Sequence, residues 1–164
     1  MNARYVKNAA WRSLTAFIPT LVAPDDSFAR GSLRWPEYRL YLDMDVRDRY
    51  HACLVAKTLA ESYPEASSEL IGAALLHDVG KSAAGYSAVS RIAAHLWAPR
   101  HVPAEPRLDG LRGVWQLHRH HSRYGAAMIR AVGGSERIAE IVERHHNPGD
   151  DRDAALLHSV DEQF

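Results

Sequence analysis

The chain has little cysteine, no long apolar run and no net charge, and each absence excludes a class of protein. Because Cys53 is the only cysteine, neither an internal disulfide nor a cysteine zinc cage can form. No run of about 18 apolar residues occurs, so no transmembrane helix is predicted. Basic and acidic side chains number 20 each, which leaves no overall charge to attract nucleic acid or an anionic membrane. The sequence therefore predicts an ordinary globular domain that folds on its own core.

The first residues resemble a secretory signal only in outline. Arg4, Lys7 and Arg12 precede an apolar stretch over 14–23, but Pro19 interrupts that stretch and no small-residue cleavage site follows it. The apolar spacing instead predicts an amphipathic helix that ends before Pro19. We therefore expect a cytoplasmic protein.

Helical spacing of apolar residues recurs along the chain, whereas the alternation typical of strands is essentially missing. The predicted helices run from Pro36 toward Asp43, over 47–62, from Ser67 or Ser68 to Gly80, over 86–97 and 114–132, from Ser135 to His145 or His146, and over 151–163. The segments 24–35 and 103–113 are predicted to be loops. We expect an all-α fold, a single compact bundle of six to eight helices.

Ten histidines, all between positions 51 and 158, are the one anomaly of composition. Six metal-competent side chains fall on the inward faces or inner ends of five predicted helices: His51, His77, Asp78, His121, His145 and Asp161. One buried histidine is usually an ordinary core residue, but four with two carboxylates are hard to satisfy without cations. Imidazole and carboxylate together favour Mn, Fe, Co, Ni or Zn, so we predict one or two divalent transition metals.

Four segments carry a resemblance to a known family. They are LLHDVGK (75–81), DRYHACLVAKTLA (48–60), the His-x-x-x-Gly segment His121–Gly125 and VERHHNP (142–148). In this order they resemble the motifs of the HD-domain superfamily of metal-dependent phosphohydrolases, over about residues 47–163. The resemblance implies that 46–164 form an HD-type metal-binding helical domain. Residues 1–45 are expected to form an N-terminal helix plus a loop or short helix that packs on it.

The resemblance also implies a division of roles within the site. One metal is expected on His51, His77, Asp78 and Asp161. Asp78 is expected to bridge to a second metal that His121 and His145 complete, although the choice between His145 and His146 is left open and only the helical face favours His145. Asp78 and Lys81 are the expected catalytic residues, and Lys81, Arg123 and His146 the expected contacts to substrate.

The implied reaction is hydrolysis of a phosphomonoester, nucleotide or phosphodiester by a metal-activated water. The extended segment of the cyclic-dinucleotide hydrolases is missing after His146, and the Glu-Asp pair of the stringent-response hydrolases is missing after Asp78. Neither of these two activities is therefore expected. The expected partner is a small phosphorylated, nucleotide-like molecule; a homo-oligomer is left open, and neither membrane nor nucleic acid is expected. Two alternatives remain: a mixed-valent di-iron oxygenase of the same superfamily, and a non-catalytic module that binds metal or nucleotide.

Overall fold

The computed structural model describes residues 22–84, 99, 101–107 and 109–164. Over these ranges it contains seven α-helices, one 3₁₀ helix and no strand, which confirms the all-α prediction. In chain order the elements are α1 (Asp26–Ser32), α2 (Trp35–Leu42), α3 (Val46–Ser62), α4 (Ser68–Leu76), the 3₁₀ helix (Val79–Ala83), α5 (Gly110–Ala131), α6 (Glu136–Arg144) and α7 (Arg152–Asp161). The helices predicted before Pro19 and over 86–97 lie outside the described residues.

Short polar side chains start most of these helices. A side-chain oxygen of the residue before the helix accepts a backbone N–H of the first turn in α1, α3, α4 and α7, where the caps are Asp25, Asp45, Ser67 and Asp151. Ser67 rather than Ser68 is therefore the cap of α4. Pro36 lies in the first turn of α2, as predicted, where its missing N–H costs nothing.

Three boundary predictions were wrong. Helix α5 begins at Gly110, inside the segment 103–113 that was predicted to be a loop. The segment 24–35 was predicted to be a loop, yet it contains α1, because Asp25 caps the helix and Ala29 is completely buried in the core. Burial and capping outweigh the low helix propensity of the glycine and serines in this segment. Gly80 was predicted to end the helix of the HD segment, but α4 ends at Leu76 and Gly80 lies inside the 3₁₀ helix.

Helix α4 is the centre of the core. Six of its nine residues are buried: Leu70, Gly72, Ala73, Ala74, Leu75 and Leu76. A helix that is apolar on nearly all sides has to be surrounded, and α1, α2, α3, α6 and α7 all contact it. The C-terminal end of α4 therefore delivers the residues that follow it, His77 and Asp78, into the interior of the bundle.

Helix α5 is the longest described helix, and it packs against both the 3₁₀ helix and α6. This packing carries the middle of α5, where His121 lies, to the end of α4. Across the described ranges, no helix combines the length and the apolar character that crossing a bilayer requires.

Candidate metal centre

The metal-competent side chains predicted from sequence converge in two adjacent groups. In the His51 group, one potential ligand atom from each of His51, His77 and Asp161 lies within 4.8 Å of the others. In the His121 group, the same holds for His121, His145 and His146. His51 lies on α3 and His121 lies on α5. His77, His145 and Asp161 lie at the C-terminal ends of α4, α6 and α7, and His146 follows His145.

Asp78 lies between the two groups and is 5% exposed at its side chain. Its Oδ2 atom is 3.6 Å from Nε2 of His77, and its Oδ1 atom is 3.4 Å from Nε2 of His121. The two oxygens of one carboxylate therefore face one group each. This is the arrangement that a carboxylate bridging two cations requires.

The ends of α4 and α6 present their histidines in the same way. Nδ1 of His77 is 2.8 Å from the carbonyl oxygen of Ala74, and Nδ1 of His145 is 2.7 Å from that of Val142. A carbonyl oxygen only accepts, so each Nδ1 carries a proton and donates it to one of the carbonyls that the helix end leaves unpaired. The hydrogen bond fixes the ring and directs Nε2 into the site, as the outer contacts of metal-binding histidines usually do.

His121 is oriented from the middle of α5. Its Nδ1 atom is 3.2 Å from each of two carbonyl oxygens of the preceding turn, those of Leu117 and His118. Its Nε2 atom is 3.0 Å from Nε2 of His146, so the neutral pair shares one proton between these two atoms. His146 is exposed, in contrast to the completely buried His145.

The His51 group is held by a short contact between helices α3 and α7. Nε2 of His51 lies 2.8 Å from Oδ1 of Asp161, and the same oxygen lies 3.5 Å from Nε2 of His77. Burial raises the pKa of Asp161, but the hydrogen bond of His51 and the positive charge of the nearby His77 outweigh it and hold that pKa far below its usual range. Asp161 is therefore an anion at every physiological pH.

The pKa values of the histidines differ because their surroundings differ. Burial lowers the pKa of His77, but the carboxylates of Asp78 and Asp161 outweigh it and raise the pKa to about 9. Burial and the neighbouring imidazoles lower the pKa of His145 to about 2, and burial with the Lys81 ammonium lowers that of His121 to about 3. His145 and His121 are therefore neutral near pH 7 and keep a lone pair on a ring nitrogen.

Two histidine nitrogen atoms indicate that this set of residues fits a metal ion. Among the described residues, Nε2 of His77 and Nε2 of His145 are buried polar atoms without a hydrogen-bond partner. Their ring centroids are 5.3 Å apart. A buried polar atom without a partner costs about 1–3 kcal/mol, so these two nitrogens, near the buried Asp78 and the partly buried Asp161, indicate a place for a cation, which would replace the proton on Nε2 of His77. Imidazole with carboxylate is a donor set that divalent transition metals prefer, and the residues fit such an ion.

A family model for the HD domain matches residues 50–162. The chain belongs to the HD-domain family. The match confirms the family predicted from the sequence motifs, and it spans every residue of the His51 and His121 groups. HD domains bind divalent metals and generally act as metal-dependent phosphohydrolases. No curated protein and no solved structure matches the chain.

Lys81 belongs to the centre of this HD domain. It lies on the 3₁₀ helix, and its Nζ atom donates to Oδ2 of Asp78 at 2.5 Å. Burial lowers the pKa of Lys81, but the Asp78 carboxylate outweighs it and raises the pKa above its usual value, so the side chain is an ammonium. The HD segment thus carries its own cation next to the central carboxylate.

Arg123 is the predicted site residue that the structure leaves apart. It is exposed on α5 and follows His121 by two positions, which turns it about 200° around the helix axis. Residues two apart on a helix do not share a face, and His121 occupies the inward face. A role for Arg123 in substrate binding stays a prediction.

The sequence patterns did not single out the residues that attach the segment 102–107 to α5, the helix that carries His121. The amide of Gln116, on α5, donates to the carbonyl oxygens of Pro103 and Glu105 at 3.0 and 2.5 Å. The hydroxyl of Tyr124 donates to the carbonyl oxygen of Ala104 at 3.0 Å. The only sequence signal is that a glutamine occupies the buried side of a helix, and such a residue needs partners.

Proposed function

We propose that this HD domain is a phosphohydrolase that uses one or two divalent transition metal ions to cleave a small phosphorylated, nucleotide-like substrate. A phosphomonoester, a nucleotide and a phosphodiester all fit this class. The observation that carries the proposal is the convergence of two buried, unpartnered histidine nitrogens with the buried carboxylate of Asp78 and the partly buried one of Asp161. The family match gives independent support.

The residues divide into two ligand sets that share one carboxylate. His51, His77, Asp161 and Oδ2 of Asp78 would hold one ion, and His121, His145 and Oδ1 of Asp78 would hold the other. Bound divalent ions supply a hydroxide near neutral pH and neutralise charge on the phosphoryl group. The helix ends keep the imidazoles in place through the Nδ1 hydrogen bonds of His77 and His145.

Substrate contacts fall to two side chains beside the ligand sets. The Lys81 ammonium lies next to Asp78 and would neutralise a non-bridging phosphate oxygen. His146 is the exposed member of the His121 group, and its ring would contact the substrate from the solvent side. In the reaction, the oxygen of water forms a bond to phosphorus, the bond from phosphorus to the leaving oxygen breaks, and that oxygen takes up a proton.

The test is hydrolysis of mono- and bis-p-nitrophenyl phosphate by the metal-free full chain, before and after addition of Mn²⁺, Fe²⁺, Co²⁺, Ni²⁺ or Zn²⁺. We expect release of p-nitrophenol only with metal, and loss of that activity in Asp78→Asn. Asp43→Asn, an exposed change at the end of α2, is the matched control and should retain it. The absence of turnover with every metal and both esters would contradict the proposal.

The alternative is a mixed-valent di-iron oxygenase built on the same donors. The predominance of imidazole among the donors is compatible with iron. A cation next to Asp78 favours the hydrolase instead, because it matches a phosphate group. Oxygen uptake by the iron-loaded protein, with a mixed-valent signal in electron paramagnetic resonance and no ester hydrolysis, would decide for the oxygenase.

A further inference from the structure

Lys81 and Asp78 form an ion pair within a single short turn of chain. The backbone N–H of Lys81 donates to the carbonyl oxygen of Asp78 at 2.9 Å, which starts the 3₁₀ helix and folds the lysine side chain back over the carboxylate. Nζ then lies 2.5 Å from Oδ2 of Asp78. Asp78 is 5% exposed at its side chain and Lys81 is 30% exposed, so the ammonium is at the edge of the centre with a route to solvent.

The oxygen that Lys81 contacts is also the oxygen of Asp78 that faces the His51 group. Oδ2 is 3.6 Å from Nε2 of His77, whose other nitrogen is committed to a backbone carbonyl. A carboxylate oxygen binds a transition metal at about 2.0–2.2 Å, a distance at which an ammonium on the same oxygen would repel the ion strongly. Lys81 and a metal ion on Oδ2 would therefore each weaken the binding of the other.

We propose that the Lys81 ammonium and the metal ion of the His51 group compete for Oδ2 of Asp78, so that metal binding releases Lys81 toward the phosphate of the substrate. This inference rests on the proposed function for the metal and the phosphate. It adds an order of events: the cation that recognises substrate becomes available only when the metal is in place. The Lys81 ammonium also serves as the counter-ion of the buried Asp78 while the protein folds and before metal binds.

Calorimetric titration of Mn²⁺ into the metal-free full chain tests the competition. Lys81→Met removes the ammonium but keeps the length of the side chain, and we expect it to bind Mn²⁺ tighter by about tenfold or more, because one nearby positive charge is gone. Lys81→Arg retains the charge and should bind like the wild type. Lys57→Met is the matched control, since Lys57 pairs with Asp25 at 2.6 Å and neither residue belongs to the metal-competent groups; its affinity for Mn²⁺ should be unchanged.

The release of Lys81 is measured on the wild-type chain, so that it does not depend on the folding of a variant. Amine acylation by an N-hydroxysuccinimide ester, quantified by peptide mass spectrometry, reports how accessible and how unpaired each lysine is. We expect Mn²⁺ to increase the labelling of Lys81 severalfold and to leave that of Lys57 unchanged. Lys57 is the internal reference within the same sample.

The outcomes separate this inference from the proposed function. Equal Mn²⁺ affinity in the wild type and Lys81→Met, or Lys81 labelling that Mn²⁺ does not raise relative to Lys57, would overturn the competition and leave the metal-dependent hydrolase standing. A lack of binding by both proteins of Mn²⁺, Fe²⁺, Co²⁺, Ni²⁺ and Zn²⁺ alike would overturn the two together. Tighter binding by Lys81→Met with metal-dependent labelling of Lys81 would support the competition even if no phosphate ester proved to be a substrate.

Discussion

The backbone of Gly80 lies directly against the carbonyl oxygen of His121, and no side chain fits between them. A Cβ atom at position 80 would collide with that oxygen and would also come within 2.7 Å of the backbone nitrogen of Gly125. The contact is equally close from the other side, since a Cβ atom at position 125 would be 3.1 Å from the backbone nitrogen of Gly80. The two glycines thus let the HD segment and α5 approach backbone to backbone, which brings Asp78 within 3.4 Å of His121.

Gly80→Ala should therefore separate the two halves of the metal centre. The added methyl group meets backbone, which cannot move away as a side-chain tip can, so we expect the free energy of unfolding to fall by at least about 2 kcal/mol. The affinity for Mn²⁺ should fall as well, because His121 moves away from Asp78. Denaturant unfolding and calorimetric titration of the same protein measure both effects.

Gly31→Ala provides the control for this substitution. Gly31 lies in α1, where an added Cβ would meet nothing within 4 Å. The change should leave the affinity for Mn²⁺ unaltered and should raise the free energy of unfolding by up to about 1 kcal/mol, since alanine is the better helix former. Wild-type stability and metal affinity in Gly80→Ala would show that the close approach does not position the centre.

Metal binding should stabilise the folded chain, because the ligand atoms come from helices that are far apart in sequence. An ion at about 100 times its dissociation constant contributes about 2.7 kcal/mol. For a chain of 164 residues this corresponds to a rise in Tm of about 5–10 °C. Thermal unfolding of the metal-free chain with and without Mn²⁺ measures the rise, and a chelator should reverse it.

Asp78→Asn should abolish that rise in Tm. The amide keeps the shape of the carboxylate but removes the charge that faces both groups of histidines. Asp43→Asn, on the surface, should show the full metal-dependent shift. An equal shift in wild type and Asp78→Asn would mean that the ion binds elsewhere and would contradict the assignment of the centre.

Much of this centre follows from helical periodicity, because the ligands lie on helix faces that hydrophobic neighbours already direct inward. His51 precedes the buried Val55 by four positions, and Asp161 follows the buried Leu157 by four. The spacing of apolar residues therefore predicts that these two side chains point inward without any knowledge of the fold. That they meet at 2.8 Å depends on how α3 and α7 pack, which periodicity alone does not determine.

Local backbone detail was less predictable. The glycine after the HD pair reads as a helix end, whereas the chain tightens there into a 3₁₀ helix that turns Lys81 back onto Asp78. Similarly, Gly31 and Ser32 weaken the helical pattern of α1, and the burial of Ala29 decides the outcome. In both places a contact between distant elements outweighs the local preference of a few residues.

Gln116 should hold the segment 103–107 on α5. Its buried amide joins the carbonyl oxygens of Pro103 and Glu105 and accepts the backbone N–H of Arg107 at 3.2 Å. Gln116→Leu removes these bonds, so we expect faster amide hydrogen exchange over 103–107 and a loss of about 1–2 kcal/mol in the free energy of unfolding. The Mn²⁺-dependent rise in Tm should persist, because α5 itself carries His121.

Gln163→Leu is the matched change for this experiment. Its amide donates to the carbonyl oxygen of Ser159 at an exposed position, where water replaces the bond. Hydrogen exchange over 103–107 should be unaffected in that variant. Unchanged exchange over 103–107 in Gln116→Leu would show that other contacts hold the segment.

The adjacent histidines His145 and His146 should differ in function, because only His145 is buried and held by a backbone carbonyl. His145 is completely buried, donates from Nδ1 to Val142 and has an unpartnered Nε2 atom, whereas His146 is exposed. We expect His145→Ala to bind one Mn²⁺ fewer per chain than the wild type. We expect His146→Ala to keep its metal content and to raise KM for a phosphate ester.

Elemental analysis after dialysis against Mn²⁺ measures the first effect and steady-state kinetics the second, with the exposed His101→Ala as a control that changes neither. Loss of metal from His146→Ala alone would reverse the two roles and make His146 the ligand.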